Sequence, residues 1–333
     1  QLVFEYLKRK HNWKDGDEVI VPAVTFVATV NILLQNRLKP VLVDVDIDTY
    51  NLDTRDVKFI EDKITKKTKA ILAVNLLGRG VNIQTIRRIA KKHNLKVIED
   101  SCEAMFNWYP DIDKPVGSLA DFAVYSSYLA HIISTGVGGI ICTNSDKDEQ
   151  YLRSMIWHGR DNLYLHIDAN REALLEELIQ KRFRFDKVGY SYRLTEFEAA
   201  LGVDELSRAD SILIKRTYNA MRLYELLKPF EDYIKLPEMD EPNSWMFFPI
   251  LCKPLSIKRD DLALYLEKKG IQTRTIMPLT NQPVYKGLFK ESDYPIARFI
   301  NNHGLLLGIH HFLKEADLKY IAKTIKEYLN DQA

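Results

Sequence analysis

Cysteine is scarce in this chain: three in 333 residues, Cys102, Cys142 and Cys252, odd in number and far apart. Such a set builds neither a disulfide framework nor a metal-ligand cluster, and it suits a reducing compartment, so a cytoplasmic location is expected. No apolar run approaches the ~18–20 residues that span a bilayer, and no signal peptide is visible. An excess of charge of either sign is also lacking. With 47 basic and 46 acidic residues the formal net charge is +1, which gives no pull toward nucleic acid or an anionic membrane surface. Glycine-rich phosphate motifs are missing too. No Gly-x-Gly-x-x-Gly follows the first predicted strand, so a dinucleotide-binding fold is not expected, and no Walker loop, His-Glu-x-x-His or Gly-x-Ser-x-Gly is present. There is no internal repeat and no low-complexity segment.

What remains is ample material for a large core: 46% of residues are hydrophobic and 28% charged, enough for two domains or one large one. Residues 1–10 read as the back half of a helix. Short apolar strands are predicted at 19–21, 40–45, 69–75 and 96–99, with helices at 25–36 and 83–93 between them. Apolar strands alternating with helices indicate βαβ units and a mostly parallel sheet buried on both faces. Asp44, Asn75, Asp100 and Ser126 then fall at or just past the carboxyl ends of strands, the edge where open α/β sheets bind ligands. Residues 158–187 are charge-rich and read as a surface excursion containing an exposed helix at 171–182. A long helical stretch at 194–227, a strand at 243–253, a helix at 258–269, a strand at 271–276 and a terminal amphipathic helix at 314–329 make the second half α+β. The expected division is a large domain at 1–205 and a smaller C-terminal domain at 206–333.

The stretch that organises the chemistry is Tyr125-Ser126-Ser127-Tyr128-Leu129-Ala130-His131, followed by a glycine-rich return, Gly136-Val137-Gly138-Gly139. A strand that ends in hydroxyls and a lone histidine is a loop placed for catalysis. On residue chemistry alone the reading stops at an α/β enzyme with Asp100, Ser126 and His131 at the sheet edge.

Several motifs in one order then resemble a family: Gly16-Asp17-Glu18-Val19-Ile20-Val21-Pro22-Ala23-Val24-Thr25-Phe26-Val27-Ala28-Thr29, Pro40-Val41-Leu42-Val43-Asp44-Val45-Asp46, Val97-Ile98-Glu99-Asp100, and Gly189-Tyr190-Ser191-Tyr192-Arg193-Leu194-Thr195. They resemble the DegT/StrS-type nucleotide-sugar aminotransferases, fold type I enzymes that use pyridoxal phosphate (PLP), and the resemblance runs from about Lys14 to the C-terminus. It implies a large cofactor-binding domain, a homodimer with a shared active site, glutamate as amino donor and a nucleotide-linked keto-sugar as substrate. Asp100 would face the pyridine nitrogen and keep it protonated, so that the ring acts as an electron sink. Phe26 would stack on the ring and Ser126 would bind the phosphate. Ser191 stands where the family usually has an asparagine that reaches the phosphate from the neighbouring subunit. Glu103 stands where the aminotransferases usually have glutamine. Tyr192, Arg193 and Arg274 fall on the substrate side, Arg274 as a candidate carboxylate or phosphate ligand with a surface salt bridge as the alternative. The family's phosphate loop is expected just before Gln1, so the chain is read as truncated there.

One departure decides the chemistry. The family has Ser-Phe-Tyr-x-x-Lys where this chain has Ser126-Ser127-Tyr128-Leu129-Ala130-His131, and no lysine lies between Asp121 and Asn144. Imidazole is not a primary amine and cannot anchor the cofactor covalently. The expectation is noncovalent pyridoxamine phosphate (PMP) or PLP, with His131 keeping the acid–base half of the lysine's task. A branch of the family looks like this, the 3-dehydratases of nucleotide-linked 4-keto-6-deoxyhexoses, and Asp100-Ser101-Cys102-Glu103-Ala104 is similar to its Asp-Asn-Cys-Asp-Ala. Some members carry an iron–sulfur cluster on cysteines in the region after Arg160; residues 161–198 contain none, so no cluster is expected. Val137 replaces a common acidic residue, and Ile132 stands where the dehydratases often have a second histidine. An aminotransferase with a lysine from elsewhere and a non-catalytic PLP-fold protein remain the alternatives. His310-His311 is not read as a metal pair, because adjacent strand residues face opposite ways.

Overall fold

The structure is a computed structural model that describes residues 1–160, 179, 183–239, 242–254 and 257–332. The exposed helix expected at 171–182 lies outside the described residues, apart from Ile179.

The N-terminal part builds a six-stranded sheet in the order β2-β1-β3-β4-β5-β6. Its strands are β1 (Glu18–Pro22), β2 (Lys39–Val43), β3 (Thr68–Val74), β4 (Lys96–Asp100), β5 (Phe122–Ser126) and β6 (Gly139–Cys142). Strands β1 to β5 pair in parallel, Ile20 opposite both Val41 and Ile71, and only β6 runs antiparallel to its neighbour. Every residue of β1 is buried, as expected of a strand covered on both faces. Around the sheet lie α1 (Leu2–His11), α2 (Val27–Gln35), α3 (Lys58–Glu61), α4 (Ile83–His93) and α5 (Asp146–Ile156). Helix α4 starts where the Asn82 side chain accepts the Thr85 N–H at 3.0 Å and ends at Asn94 in the left-handed region. Its Ile83, Ile86 and Ile89 are buried on the sheet, each contributing about 1.5–3 kcal/mol by leaving water.

After α6 (Glu196–Ser207) and α7 (Ala209–Leu227) a second, antiparallel sheet follows in the order β7-β8-β10-β9. Its strands are β7 (Ile234–Lys235), β8 (Phe248–Cys252), β9 (Thr273–Thr275) and β10 (Gly304–Leu307), packed with α8 (Arg259–Lys268), α9 (Pro295–His303) and α10 (Glu315–Gln332). The period-two rule sorts β10 cleanly. Leu306 joins the core of the large sheet, while Leu305 and Leu307 join a separate core with Leu223, Leu266 and Ile325.

Three elements differ from the sequence expectation. The helical stretch 194–227 breaks at Arg208, which leaves helical geometry (φ −109°, ψ 0°). The strand expected at 271–276 shortens to Thr273–Thr275. The strand expected from residue 243 begins only at Phe248, because Trp245 takes φ +52°. The segment before β8 instead docks on the turn after β3: Ser244 N–H donates to the Gly78 carbonyl at 3.1 Å and Met246 N–H to the Leu77 carbonyl at 3.3 Å.

Candidate active site

Adjacent residues of β4 point to opposite faces of the sheet, and the two carboxylates at its end have different fates. Glu99 is fully buried and committed to structure. It accepts hydrogen bonds from Tyr109 Oη at 2.6 Å, Asn75 Nδ2 at 2.9 Å and Gly117 N–H at 3.0 Å. Asp100 is only half-buried. Its Oδ2 accepts from Thr29 Oγ1 at 3.0 Å, in the first turn of α2, and Thr29 is itself 2.9 Å from Thr25 Oγ1. Its Oδ1 accepts from Cys102 N–H at 3.3 Å. The other polar residues at strand ends are spent elsewhere. Asp44 accepts Ile296 N–H at 2.9 Å and Ala297 N–H at 2.8 Å, capping α9. Asn75 is buried, tied to Glu99, Ser101 and the Val81 N–H.

Glu103 lies beside Asp100. Its Oε2 accepts the Leu77 N–H at 2.7 Å. Burial first, and then the Asp100 charge, push its carboxyl up to about 7. His131 lies close enough to feel the Asp100 charge. Burial pushes its imidazole below the ordinary value, while the Asp100 charge and the Cys102 backbone pull it back. Its Nδ1 is buried with no hydrogen-bond partner.

The loop that carries His131 is a tightly bonded return between β5 and β6. Ser127 N–H donates to the Gly138 carbonyl at 3.2 Å, Thr135 N–H to the Ser127 carbonyl at 2.8 Å, and the Ser127 and Thr135 hydroxyls meet at 2.7 Å. A Cβ at position 138 would lie 2.2 Å from Ser127 Oγ, so any side chain there displaces the Ser127 and Thr135 hydroxyls. Ile132 and Ile133 anchor the loop in a cluster with Met105, Ala209, Ile212 and Met246. The side chain at 132 therefore points into packing, whereas Val137 is exposed on the return.

The remaining predicted residues are more dispersed. Phe26, the N-cap residue of α2, is 60% exposed. Ser126 is half-buried and its Oγ accepts the Tyr128 N–H at 3.2 Å. Tyr192 stacks on Tyr190 at 4.6 Å, and the Arg193 guanidinium lies 4.5 Å over the Trp157 ring. Ser191 is exposed and forms a backbone bridge with Trp157. Tyr192 and Asp100 line one cavity of about 550 Å³, together with Tyr125 and Ile140; His131, Glu103, Phe26, Ser126, Ser191, Arg193 and Arg274 do not line it. Arg274 is exposed on β9 and donates to the Thr273 carbonyl at 2.7 Å. Among the described residues no group of three His, Cys, Asp or Glu side chains is placed to hold a metal ion.

Thr29 closes the first resembling motif, but its role as a hydrogen-bond donor to Asp100 is visible only in the structure. The Leu77 N–H was not readable, because its orientation depends on a φ of +58°. Chemically the centre offers the Asp100 carboxylate, a Glu103 carboxyl raised to about 7 and a half-buried imidazole pushed toward its neutral form. That set handles protons; it contains no amine nucleophile.

The profile of the DegT/DnrJ/EryC1/StrS aminotransferase family matches residues 6–326. The chain is 32% identical over 330 residues to the lipopolysaccharide biosynthesis protein RfbH of Salmonella typhimurium, covering 95% of this chain and 74% of that one. It is 34% identical over 318 residues to the GDP-perosamine synthase of Caulobacter vibrioides, covering 94% and 80%. Among solved structures, E. coli GDP-4-keto-6-deoxy-D-mannose 3-dehydratase with bound hydrated PLP superposes with a TM-score of 0.84 at 28% identity, covering 97% of this chain and 84% of that one. The α/β architecture with a mostly parallel sheet is that of the fold type I PLP enzymes.

Proposed function

This chain belongs to the DegT/DnrJ/EryC1/StrS aminotransferase family of PLP-dependent sugar-nucleotide enzymes, and from that premise we propose that it is a PMP/PLP-dependent dehydratase removing the C3 hydroxyl of a nucleotide-linked 4-keto-6-deoxyhexose. The observation that carries this reading is His131 in the lysine's loop, with no lysine between Asp121 and Asn144.

The residues present fit the cofactor. A buried imidazole nitrogen without a partner lies in the field of a carboxylate held in place by Thr29. In this reading Asp100 keeps a proton on the pyridine nitrogen, Phe26 covers the ring, Glu103 borders its polar edge and Ser126 holds the phosphate together with Ser191 of the partner subunit. When bound, PMP supplies the amino group that engages the C4 ketone and the electron pair that replaces the C3–O bond, and glutamate restores that amino group. His131 does the proton work. Neutral because burial lowers its pKa, it takes a proton as base and delivers one to the departing C3 oxygen, which leaves as water. The sugar ends as the 3-deoxy-4-keto compound, and the nitrogen leaves as ammonia. Arg274, Tyr192 and Arg193 are assigned to the nucleotide-sugar.

The same reading makes the enzyme a homodimer with residues 1–205 and 206–333 as its domains. None of the residues of α6 is buried, and Phe197 and Val203 are 85% and 69% exposed; an apolar helix this bare suits a second copy of the chain. No described helix is long and apolar enough to cross a membrane, and the enzyme is assigned to cytoplasmic deoxysugar biosynthesis feeding lipopolysaccharide O-antigen, in line with the likeness to RfbH.

The test supplies a GDP-linked 4-keto-6-deoxyhexose with PMP and glutamate. Release of ammonia and loss of the C3 oxygen support dehydration. A stable amino sugar supports the second reading, a glutamate-dependent aminotransferase, which the 34% identity to GDP-perosamine synthase favours.

A further inference from the structure

We propose that Arg216 is a positioning residue for the Asp100–Glu103 carboxyl pair, acting through the 244–246 segment and the Leu77–Gly78 turn. This inference rests on the reading of that pair as the cofactor-facing centre.

Arg216 is an anomaly on α7. It is only 5% exposed, and it forms no ion pair among the described residues. Its Nε is buried without a partner. A buried guanidinium with no carboxylate carries a desolvation cost, and burial pulls its pKa down to about 10. Its acceptors are main-chain oxygens: Nη1 donates to the Trp245 carbonyl at 2.8 Å, with the Met246 carbonyl at 3.4 Å.

Those carbonyls belong to a segment bent away from the small sheet. Trp245 has φ +52°, and its N–H is held by Asn243 Oδ1 at 2.7 Å. On either side of it, Ser244 N–H and Met246 N–H bond the carbonyls of Gly78 and Leu77 at 3.1 and 3.3 Å. The approach is so close that a Cβ on Gly78 would lie 2.7 Å from the Trp245 nitrogen. The turn then reaches the carboxyl directly. The Leu77 N–H bonds Glu103 Oε2 at 2.7 Å, and Ser244 Oγ bonds the Glu103 carbonyl at 3.2 Å.

A hydrogen-bonded path thus runs from a helix of the small-sheet layer to a carboxyl beside Asp100. Two of its residues, Leu77 and Trp245, hold positive φ without being glycine, a conformation that persists only where the surroundings over-determine it. Arg216 supplies that constraint on the Trp245 side. Without it the 244–246 segment is free to relax, the Leu77 N–H turns away, and Glu103 loses its fixed place.

The experiment compares wild type, Arg216→Lys, Arg216→Met and Ser244→Ala by amide hydrogen exchange and by titration with PMP. Arg216→Met is expected to speed exchange at 74–79 and 243–247 by about 10-fold or more while β1 and β3 keep their rates, and to weaken PMP binding by about 10-fold. Arg216→Lys, which keeps a charged donor group in reach of the Trp245 carbonyl, is expected to restore both to within about threefold. Ser244→Ala, which removes only a neutral hydroxyl from the same path, gives the same pattern at about a third of the size and serves if Arg216→Met does not fold. Unchanged exchange at 74–79, or acceleration spread evenly over the chain, overturns the proposal, as does unchanged PMP affinity alongside faster local exchange. If the wild-type protein binds no PMP, the cofactor reading falls, and the exchange pattern alone then decides whether Arg216 holds the Leu77 turn.

Discussion

Glu103→Gln provides a sensitive test of the electrostatics at the centre. The carboxyl moves from an ordinary value of 4.5 to about 7 on folding, chiefly through burial. The folded state therefore binds more protons than the unfolded state between those limits, and stability falls as pH rises from ~4.5 through ~7. At about 1.4 kcal/mol per pH unit, a rise of this size amounts to roughly 3 kcal/mol lost above neutrality. Glutamine removes the charge but keeps an oxygen that can accept the Leu77 N–H, now bonded at 2.7 Å. The variant should match wild type at pH 5 and exceed it at pH 8 by up to about 3 kcal/mol, a Tm gain of ~4 °C for a chain of this length. Thermal melts of cofactor-free protein across pH 5–8.5 read this directly. A Tm difference that does not change with pH, or a loss at pH 8, refutes the assignment of Glu103 as a strained carboxyl.

Other perturbations test other parts of the site. His131→Lys places a primary amine in the family's position, so adding PLP should produce a new absorbance band at the edge of the visible; no band means that residue 131 does not face the cofactor. Asp44→Ala uncaps α9 by removing the acceptor of two N–H groups at 2.9 and 2.8 Å, and chemical denaturation should show a loss of about 0.5–2 kcal/mol with PLP affinity unchanged. Gly138→Ala forces a methyl to within 2.2 Å of Ser127 Oγ; denaturant melts should show at least ~1 kcal/mol of destabilisation, and a neutral outcome would mean the β5–β6 return is looser than its bonds indicate.

The alternation of apolar strands with helices made the parallel sheet legible, because burial on both faces leaves a pattern in the residues themselves. Asp100 and His131 were legible for a related reason, since each sits where a strand ends. Position was not enough for Asp44 or Asn75. Both end strands, yet one caps a helix more than 250 positions along the chain and the other is consumed in a buried network with Glu99. Which strand-end group stays open depends on distant partners that no local pattern records. The 243–247 segment reads as strand from its aromatic content, and only its docking on Gly78 reveals why Trp245 leaves the extended region. Glu103 was placed by resemblance; its proton affinity follows from burial, which the sequence does not display.

His131 and Glu103 are linked through Asp100, and the link bears on why a histidine stands in this loop. A lysine at 131, where it is protonated, would bring a cation toward Asp100, and its charge would favour ionised carboxyls around it. A neutral imidazole gives no such compensation. The Asp100 charge then raises the Glu103 pKa without an opposing cation, so the centre holds an uncharged base and a carboxyl able to keep its proton. On the proposed dehydratase reading, that set serves proton transfer and elimination. The coupling is measurable by a double-mutant cycle. Because Asp100 is a smaller cause of the Glu103 shift than burial, the stabilisation given by Glu103→Gln at pH 8 should shrink by about 0.5–1 kcal/mol in a His131→Lys background. Strictly additive effects at pH 8 would mean that the two residues do not share Asp100's field, and the choice of histidine would then owe nothing to the carboxyl pair.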